Sequence, residues 1–470
     1  MLTYAFTTAW VVLTLIITVY LAAWNATQLA MSPAAAMFIW RHKRRNTNRS
    51  RAIVNYLSAA PQVSIIVPAH NEELTVVDSV RALLGLQYEA REIVVVNDGS
   101  EDATLAVLEG AFQLVPAPAA FAEPIRTAPV RGFYRSIVAP ELIVIDKESG
   151  GSKSDAVNAG INAASGTLLL VIDADTVLEP DALSRAVLPF LEDPTTVAVG
   201  GNVGIINGCR IVDDRIAEVA LPASWLARFQ IIEYMRAFLL FRLACASMNA
   251  VVLVSGAFGL FSRDAVIAVG GYDGTAIGED MDLTIRLQRH FRALGQPIRI
   301  AFDPNPLGWT QAPEDWSSLR SQRYRWRRGL LQSLWRHRGM IGNPRFGAVA
   351  LGVLPYLLIF EVFEPVLQIG GLLIAVPAFF LGLLDWGYLR LLIVVSLAYG
   401  ISVTLMAVLL SDMATRRYLR GRDLALLVAV VVLEHCGYRQ LNAWWSCIGT
   451  VQAMRGQTGW GVMRRRAFGA

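Results

Sequence analysis

The stretch that decides the fold is Leu168-Leu169-Leu170-Val171-Ile172-Asp173-Ala174-Asp175. A charge-free run of Leu, Val and Ile ends abruptly in two carboxylates. Such a run reads as a buried strand of a parallel sheet. Its C-terminal end is where open α/β sheets hold their ligands. Side chains alternate along a strand, so Asp173 and Asp175 point the same way if the strand geometry continues. Two carboxylates so placed offer hard oxygen donors, which suit Mg²⁺ or Mn²⁺. Two acids at a strand end are also a common solvated turn, so the meaning of the pair depends on its company.

Outward from this strand, apolar runs and helical spacings alternate. Residues 62–67, 92–96 and 142–145 read as strands, and 74–86, 102–114 and 153–164 as helices. Ser100 suits an N-cap, and Pro180 suits the first turn of a further helix. Alternation of this kind predicts a parallel α/β sheet. Residues 115–140 are rich in Pro and Ala, lack periodicity, and read as an inserted loop. Polar loops follow successive strands: Pro68-Ala69-His70-Asn71-Glu72, then Asn97-Asp98-Gly99-Ser100, then Asp173-Ala174-Asp175. If these strands are neighbours, their acids and amides line one crevice. Such a crevice suits a nucleotide, with carboxylates accepting from ribose and base and a cation neutralising phosphates. A lone His70 there reads as a hydrogen-bonding loop residue. Neither GxGxxG nor GxxxxGK[ST] occurs, so neither a dinucleotide fold nor a P-loop is indicated.

The chain is 54% hydrophobic and only 17% charged, too apolar for an ordinary soluble protein. Residues 1–40 carry no charge, and 5–30 are long enough to span a bilayer. The cluster Arg41, Lys43, Arg44, Arg45, Arg49 and Arg51 places that flank in the cytoplasm. A cleaved signal peptide is disfavoured, because no Lys or Arg precedes the run and the run is too long. Residues 365–384 and 391–411 are further spans. Residues 349–363 form a tilted span or an interfacial helix, and 424–433 a weak span. The expectation is about four or five spans. The basic loop 416–422 and the tail Arg464-Arg465-Arg466 both favour the cytoplasm, which one intervening span does not allow. Residues 225–241 read as an interfacial helix. The net charge of +4, clustered near apolar segments, suits lipid headgroups or a phosphate-bearing substrate and not nucleic acid. Cys209, Cys245, Cys436 and Cys447 form no CxxC, so neither a zinc site nor a disulfide framework is indicated.

Taken in order, the motifs resemble those of membrane-embedded family 2 glycosyltransferases, the group of cellulose, chitin, hyaluronan and poly-N-acetylglucosamine synthases. Val67-Pro68-Ala69-His70-Asn71-Glu72 resembles the first nucleotide loop, and Asp98-Gly99-Ser100 the acid that holds uracil and ribose. Ser152-Lys153-Ser154-Asp155-Ala156-Val157-Asn158 resembles the Lys-containing helix start, and Asp173-Ala174-Asp175 the metal-binding DxD. Ser255-Gly256-Ala257-Phe258-Gly259 resembles the loop beside the acceptor sugar, and Gly278-Glu279-Asp280 the motif of the general base. Gln322-Arg323-Tyr324-Arg325-Trp326 fits the Q(Q/R)xRW pattern of processive members. Trp460-Gly461-Val462-Met463-Arg464 is a looser match to a gating segment. The resemblance covers about residues 60–340.

It implies a GT-A-like α/β domain joined to interfacial and transmembrane helices. The divisions would be a span at 1–40, a basic linker at 41–61, the catalytic domain at 62–345, membrane helices at 346–441 and a tail at 442–470. The chain would sit in the cytoplasmic membrane with that domain facing the cytoplasm. It implies a donor site of Pro68, Ala69, Asn71, Glu72, Asp98, Lys153 and Asp173, with Gln322, Arg323 and Arg325 beside the diphosphate. Guanidinium forks match phosphate oxygens, although the arginines of this helix would equally suit lipid headgroups. Asp175 would be the direct metal ligand and Asp173 the nucleotide-side acid. Ser255, Gly256, Ala257, Trp326 and Trp460 would face the acceptor. The residues alone leave Glu279, Asp280 and Asp282 as equal caps of one helix; the resemblance selects Asp280 as base, with Glu279 beside it. The activity implied is inverting, processive transfer from UDP-glucose or UDP-N-acetylglucosamine to an exported polysaccharide, with Mg²⁺ or Mn²⁺. A partner subunit of a secretion complex stays open. The rivals are single-sugar transfer to a polyprenyl phosphate and a non-catalytic membrane component.

Overall fold

The computed structural model describes residues 2–56, 60–118, 123–173, 176–212, 215–382, 386–415 and 421–457. Its strands are β1 (Val63–Ala69), β2 (Arg91–Asp98), β3 (Leu114–Pro116), β4 (Val130–Ser136), β5 (Leu142–Lys147), β6 (Leu168–Val171), β7 (Val177–Leu178), β8 (Thr196–Ile205), β9 (Arg210–Val212), β10 (Arg215–Glu218), β11 (Gly259–Ser262) and β12 (Arg299–Thr310). Ten of them form one sheet in the order β3-β4-β5-β2-β1-β6-β11-β8-β12-β7, and β9 pairs with β10 alone.

The opening stretch behaves as its alternation requires. Leu168, Leu170 and Ile172 enter one core with Ile65 and Val67 of β1, whereas Leu169 and Val171 enter the other with Ile66. Both faces are covered, so the run has no polar position until Asp173. Each such side chain contributes about 1.5–3 kcal/mol by leaving water.

The expected α/β sheet with a parallel core is present, with antiparallel strands added to it. The sheet is mixed, because β11 runs antiparallel to both β6 and β8. β5, β2, β1 and β6 form one parallel block, and β8 and β12 pair parallel on the far side of β11. One expectation is corrected: residues 115–140 are not a bare loop. They contribute β4 and part of β3, an antiparallel pair that extends the sheet beyond β5. Strands as short as β3 carry too few alternations to be read from sequence.

Among the described residues, four helices are long and apolar enough to cross a membrane: Val12–Arg45, Val349–Phe380, Leu397–Thr415 and Gly421–Met454. The segments expected at 349–363 and 365–384 therefore meet in one helical run, Val349–Phe380, with Glu361 and Glu364 inside it. The fourth is broken at Cys436 and Gly437, where Gly437 has φ 115°, a conformation natural to glycine. Residues 416–420 and 458–470 lie outside the described residues, and with them the basic tail and Trp460.

Two helices bring the motif residues together. The helix Glu279–Ala293 meets the helix Trp316–Arg336 at Gly278 and Gly329. A β-carbon on Gly329 would lie 3.1 Å from the Gly278 nitrogen, so any larger residue would push the two backbones apart. Asp282 closes the same joint. It is 2% exposed, accepts from Arg286 Nε at 2.7 Å, and lies 3.0 Å from His337 Nε2. Burial alone would raise its carboxyl, but the bonds from His337 and Arg286 outweigh it and hold the carboxyl below the ordinary range. A depressed carboxylate stabilises the fold above its unfolded value and loses that contribution as pH falls through the folded value.

Asp282→Asn is expected to cost about 3–5 kcal/mol, because it strips one partner from a buried ion pair. Thermal unfolding in detergent from about pH 7 to 3 checks it. The variant should unfold earlier near neutrality and lose part of the acid-limb steepness; an unchanged midpoint sinks the assignment.

Candidate active site

β2, β1 and β6 are parallel neighbours, so their polar loops share one edge of the sheet. Pro68 and Ala69 end β1. Asn71 takes φ 55°, a left-handed conformation that Asn tolerates. Its amide donates to Ser100 Oγ at 3.0 Å, and its Oδ1 accepts from the Glu101 amide at 2.8 Å. The Glu72 amide donates to Thr104 Oγ1 at 2.9 Å, and its Oε2 accepts from Thr75 Oγ1 at 2.8 Å. His70 Nδ1 lies 2.9 Å from the Asp98 carbonyl. The two loops are thus latched to each other. Ser100 serves that latch and not a helix cap: the helix begins at Thr104, whose amide donates to Asp102 Oδ1 at 3.0 Å.

Asp98 is anchored by a residue that sequence reasoning missed. Its Oδ1 accepts from Lys147 Nζ at 2.7 Å and from the Gly150 amide at 3.2 Å. Lys147 is fully buried, lies 2.5 Å from Asp155 Oδ2, and donates to the Glu148 carbonyl at 2.6 Å. A buried ammonium with three acceptors is satisfied. Asp155 Oδ1 also accepts from the Ala128 amide at 3.1 Å, which ties the inserted segment to this base. A lysine ending an apolar strand gives no sequence sign of such a role.

The helix Lys153–Ala163 starts at Ser152, whose Oγ accepts from the Asp155 amide at 3.3 Å. Lys153 pairs with the Asp173 carboxylate. Burial disfavours the ammonium, yet the charges of Asp173 and Glu279 raise it above its ordinary value. Asp280 Oδ2 accepts from the Gly256 amide at 3.3 Å, and Oδ1 accepts from the Met281 amide at 2.8 Å. A β-carbon on Gly256 would stand 3.6 Å from Lys153 Nζ, 3.9 Å from Asp280 Oδ2 and 4.0 Å from Asp173 Oδ2. Three charged groups from distant parts of the chain therefore surround one bare glycine.

These groups open on a cavity of about 730 Å³, also lined by Ser255, Ala257, Glu279, Gln322, Arg323, Arg325 and Trp326. Burial, then the Asp280 charge, push the Glu279 carboxyl up to about 7 against the pull of Lys153. Asp282 faces its own ion pairs, so Glu279 and Asp280 are the acids this helix presents to the cavity. Gln322 Oε1 is buried without a hydrogen-bond partner. Arg242, which sequence reasoning also missed, lines the cavity with Nη1 unpartnered. Burial lowers its guanidinium to about 10, with Asp280 opposing. The cavity runs on to Glu361, Glu364, Asn442 and Ser446 of the apolar helices. Acids inside an apolar run were the sequence signal for that end.

Some expected residues stand elsewhere. Pro68, Ala69, Asn71, Glu72 and Asp98 belong to the adjoining latched loops and do not line this cavity. Arg323, expected on the diphosphate, is instead paired with Glu233 and lies 4.7 Å over the Trp326 ring. A carboxylate on the helix Trp225–Met235 outcompetes the cavity for it. Asp173 is engaged by Lys153. Asp175 and Trp460 lie outside the described residues. Among the described residues no cluster of three metal-type side chains occurs. Asp173, about one-third exposed, supplies a hard oxygen donor beside the cavity, a chemistry that fits Mg²⁺ or Mn²⁺.

Two family models match the chain: glycosyl transferase family 2 over residues 64–269 and glycosyl transferase family group 2 over residues 168–434. The poly-beta-1,6-N-acetyl-D-glucosamine synthase of Staphylococcus aureus is 29% identical over 267 residues, 57% of this chain and 54% of that protein. The synthase of Staphylococcus epidermidis is 27% identical over 297 residues, 62% and 61% of the two chains. The chain thus spans about half the length of the curated relatives it matches. Among solved structures, a mannosyltransferase of Pyrobaculum calidifontis in complex with GDP-Man and Mn²⁺ has TM-score 0.48 at 16% identity, covering 93% of this chain and 99% of that one. Staphylococcus aureus TarS 1–349 in complex with UDP-GlcNAc has TM-score 0.40 at 14% identity, covering 81% and 92%. A family match across more than half of the chain carries the conclusion that this protein belongs to the family 2 glycosyltransferases.

Proposed function

We propose that this protein is a membrane-bound, inverting and processive β-glycosyltransferase that elongates a polysaccharide from a UDP-sugar, with UDP-N-acetylglucosamine the leading donor. The observation that carries the reading is the single cavity, which joins Lys153, Asp173 and Asp280 to Trp326 and then to Glu361 and Glu364 of the apolar helices. A donor site and a route into the membrane in one space suit a chain that grows where it leaves. The staphylococcal relatives support N-acetylglucosamine, and the full Gln322–Trp326 pattern supports processivity. The catalytic domain would face the cytoplasm and the product would be exported through the helices.

In this reading Asp280 takes the proton of the acceptor hydroxyl as that oxygen attacks the anomeric carbon from the face opposite UDP. Its Oδ2 is already aimed by the Gly256 amide. Trp326 offers an aromatic face to the apolar side of the acceptor sugar. Gln322 Oε1, buried and unpartnered, is free to accept from a sugar hydroxyl or amide. Arg325 and Lys153 supply fixed positive charge where the diphosphate separates. Asp173 and Asp175 would hold the divalent cation, which neutralises the diphosphate when bound.

Incubating the purified protein with radiolabelled UDP-sugars and Mg²⁺ or Mn²⁺ tests the reading. High-molecular-weight product supports it. A lipid-sized product supports single-sugar transfer to a polyprenyl phosphate, and absence of UDP release with every donor supports a non-catalytic component.

Asp280→Asn should lower transfer by about 10²–10⁴-fold while UDP still binds by calorimetry. Equal loss of both would remove Asp280 from the role of base.

Glu279 is neutral below about pH 7 and anionic above it. The added negative charge opposes a diphosphate donor. The donor KM should therefore rise as pH passes through that value, and Glu279→Gln should flatten the rise. A variant with the same pH dependence would assign the titration to another group.

A further inference from the structure

The Glu233 carboxylate joins three parts of the molecule that the donor chemistry leaves unconnected. It belongs to the helix Trp225–Met235. One of its oxygens, Oε2, accepts from Arg323 of the Gln322–Trp326 motif and from Tyr438 Oη at 3.0 Å. Oε1 accepts from Asn442 Nδ2 at 3.3 Å. Tyr438 closes the break in the fourth apolar helix and stacks on Phe229 of the Trp225–Met235 helix, 4.6 Å between ring centroids. One turn further on, Arg236 pairs with Glu434, on the other side of the break. Glu233 and Arg323 are 18% and 13% exposed, so water competes weakly for either. Arg323 in turn lies 4.7 Å over the ring of Trp326, which is itself 41% exposed towards the cavity.

We propose that Glu233 is a positioning residue. It fixes the Arg323 guanidinium, and through that flat cation the tilt of Trp326. By also holding Tyr438 and Asn442, it makes the Trp326 platform and the broken membrane helix one rigid unit. The inference rests on the reading that Trp326 faces the acceptor. A carboxylate suits the task because it accepts from several donors at once. A guanidinium suits the next step because it binds a carboxylate by its edge and an aromatic ring by its face. Glutamine at 233 would keep the shape and lose the charge. Arg323 would then be free to turn, and the growing chain would meet a mobile platform. Small misplacements of that kind cost up to about 10²-fold in an aligned reaction.

The test uses the full chain in lipid nanodiscs, with UDP-N-acetylglucosamine and the other UDP-sugars as donors. Product length, donor KM and UDP affinity are measured for the unaltered protein, Glu233→Gln, Glu233→Asp, Trp326→Ala and the double variant Glu233→Gln/Trp326→Ala. Glu233→Gln should shorten the product by about tenfold while UDP affinity stays within about twofold. Glu233→Asp should recover part of the length. The double variant should be no shorter than Trp326→Ala alone, because both changes remove the same platform. Product of ordinary length from folded Glu233→Gln, or additive losses in the double variant, overturns the inference. If Glu233→Gln does not fold, Arg323→Lys takes its place: it keeps a cation for Glu233 and removes the flat face over Trp326. It too should shorten the product, and ordinary length overturns the inference. An unaltered protein that makes no polymer from any UDP-sugar defeats the parent reading instead, and Glu233 falls with it.

Discussion

A charge taken out of water must find a partner or change its state, and this constraint organises the molecule. The parallel block β5-β2-β1-β6 brings strand-end acids to one edge, where an unpaired set would repel. Lys147 resolves the deepest of these conflicts by bridging Asp98 and Asp155. Lys153 resolves the next by pairing with Asp173. Further along, Asp282 is held by Arg286 and His337, and Glu233 by Arg323. Most of these contacts join separate elements, as Asp98 to Lys147, Asp173 to Lys153, Asp282 to His337 and Glu233 to Arg323 do. The pairs therefore act as fixed pins, and the backbone between them is set accordingly.

Against that background the incompletely paired groups stand out. Glu279 is pushed towards neutrality by burial and by Asp280. Gln322 Oε1 and Arg242 Nη1 are buried without partners. All three residues line one cavity, and all are costly to the folded state. Buried groups left unsatisfied in this way are the groups a ligand can satisfy. Strongly perturbed acids in a cleft are candidates for chemistry by the same reasoning. The two sets, pins and unsatisfied groups, separate residues that hold the site from residues that serve it. Asp282 and Glu279, three positions apart on one helix, fall on opposite sides of that division.

Much of this was legible in the chain. The run 168–172 read as a buried strand, and its side chains do enter both cores. The order of the motifs pointed to the family. The charge-free segments pointed to helices able to cross a membrane. The inserted segment was misread because three-residue β3 carries no period and β4 is polar on one face. The role of Lys147 was invisible because one lysine at a strand end looks solvated. Arg323 was assigned to the diphosphate by motif, while its carboxylate partner lies 90 residues away.

The amino-acid sequence determined which segments are strands and apolar helices and which residue types carry chemistry. Those properties follow from spacing and hydrophobicity within a few turns of chain. Only the tertiary structure decided which acid on the Glu279–Ala293 helix is a pin and which face the cavity. It also decided that β11 enters the sheet antiparallel and that Arg323 belongs to Glu233. These outcomes turn on which distant groups compete for the same charge or the same strand edge. Local sequence holds no record of that competition, which is settled only when the elements pack.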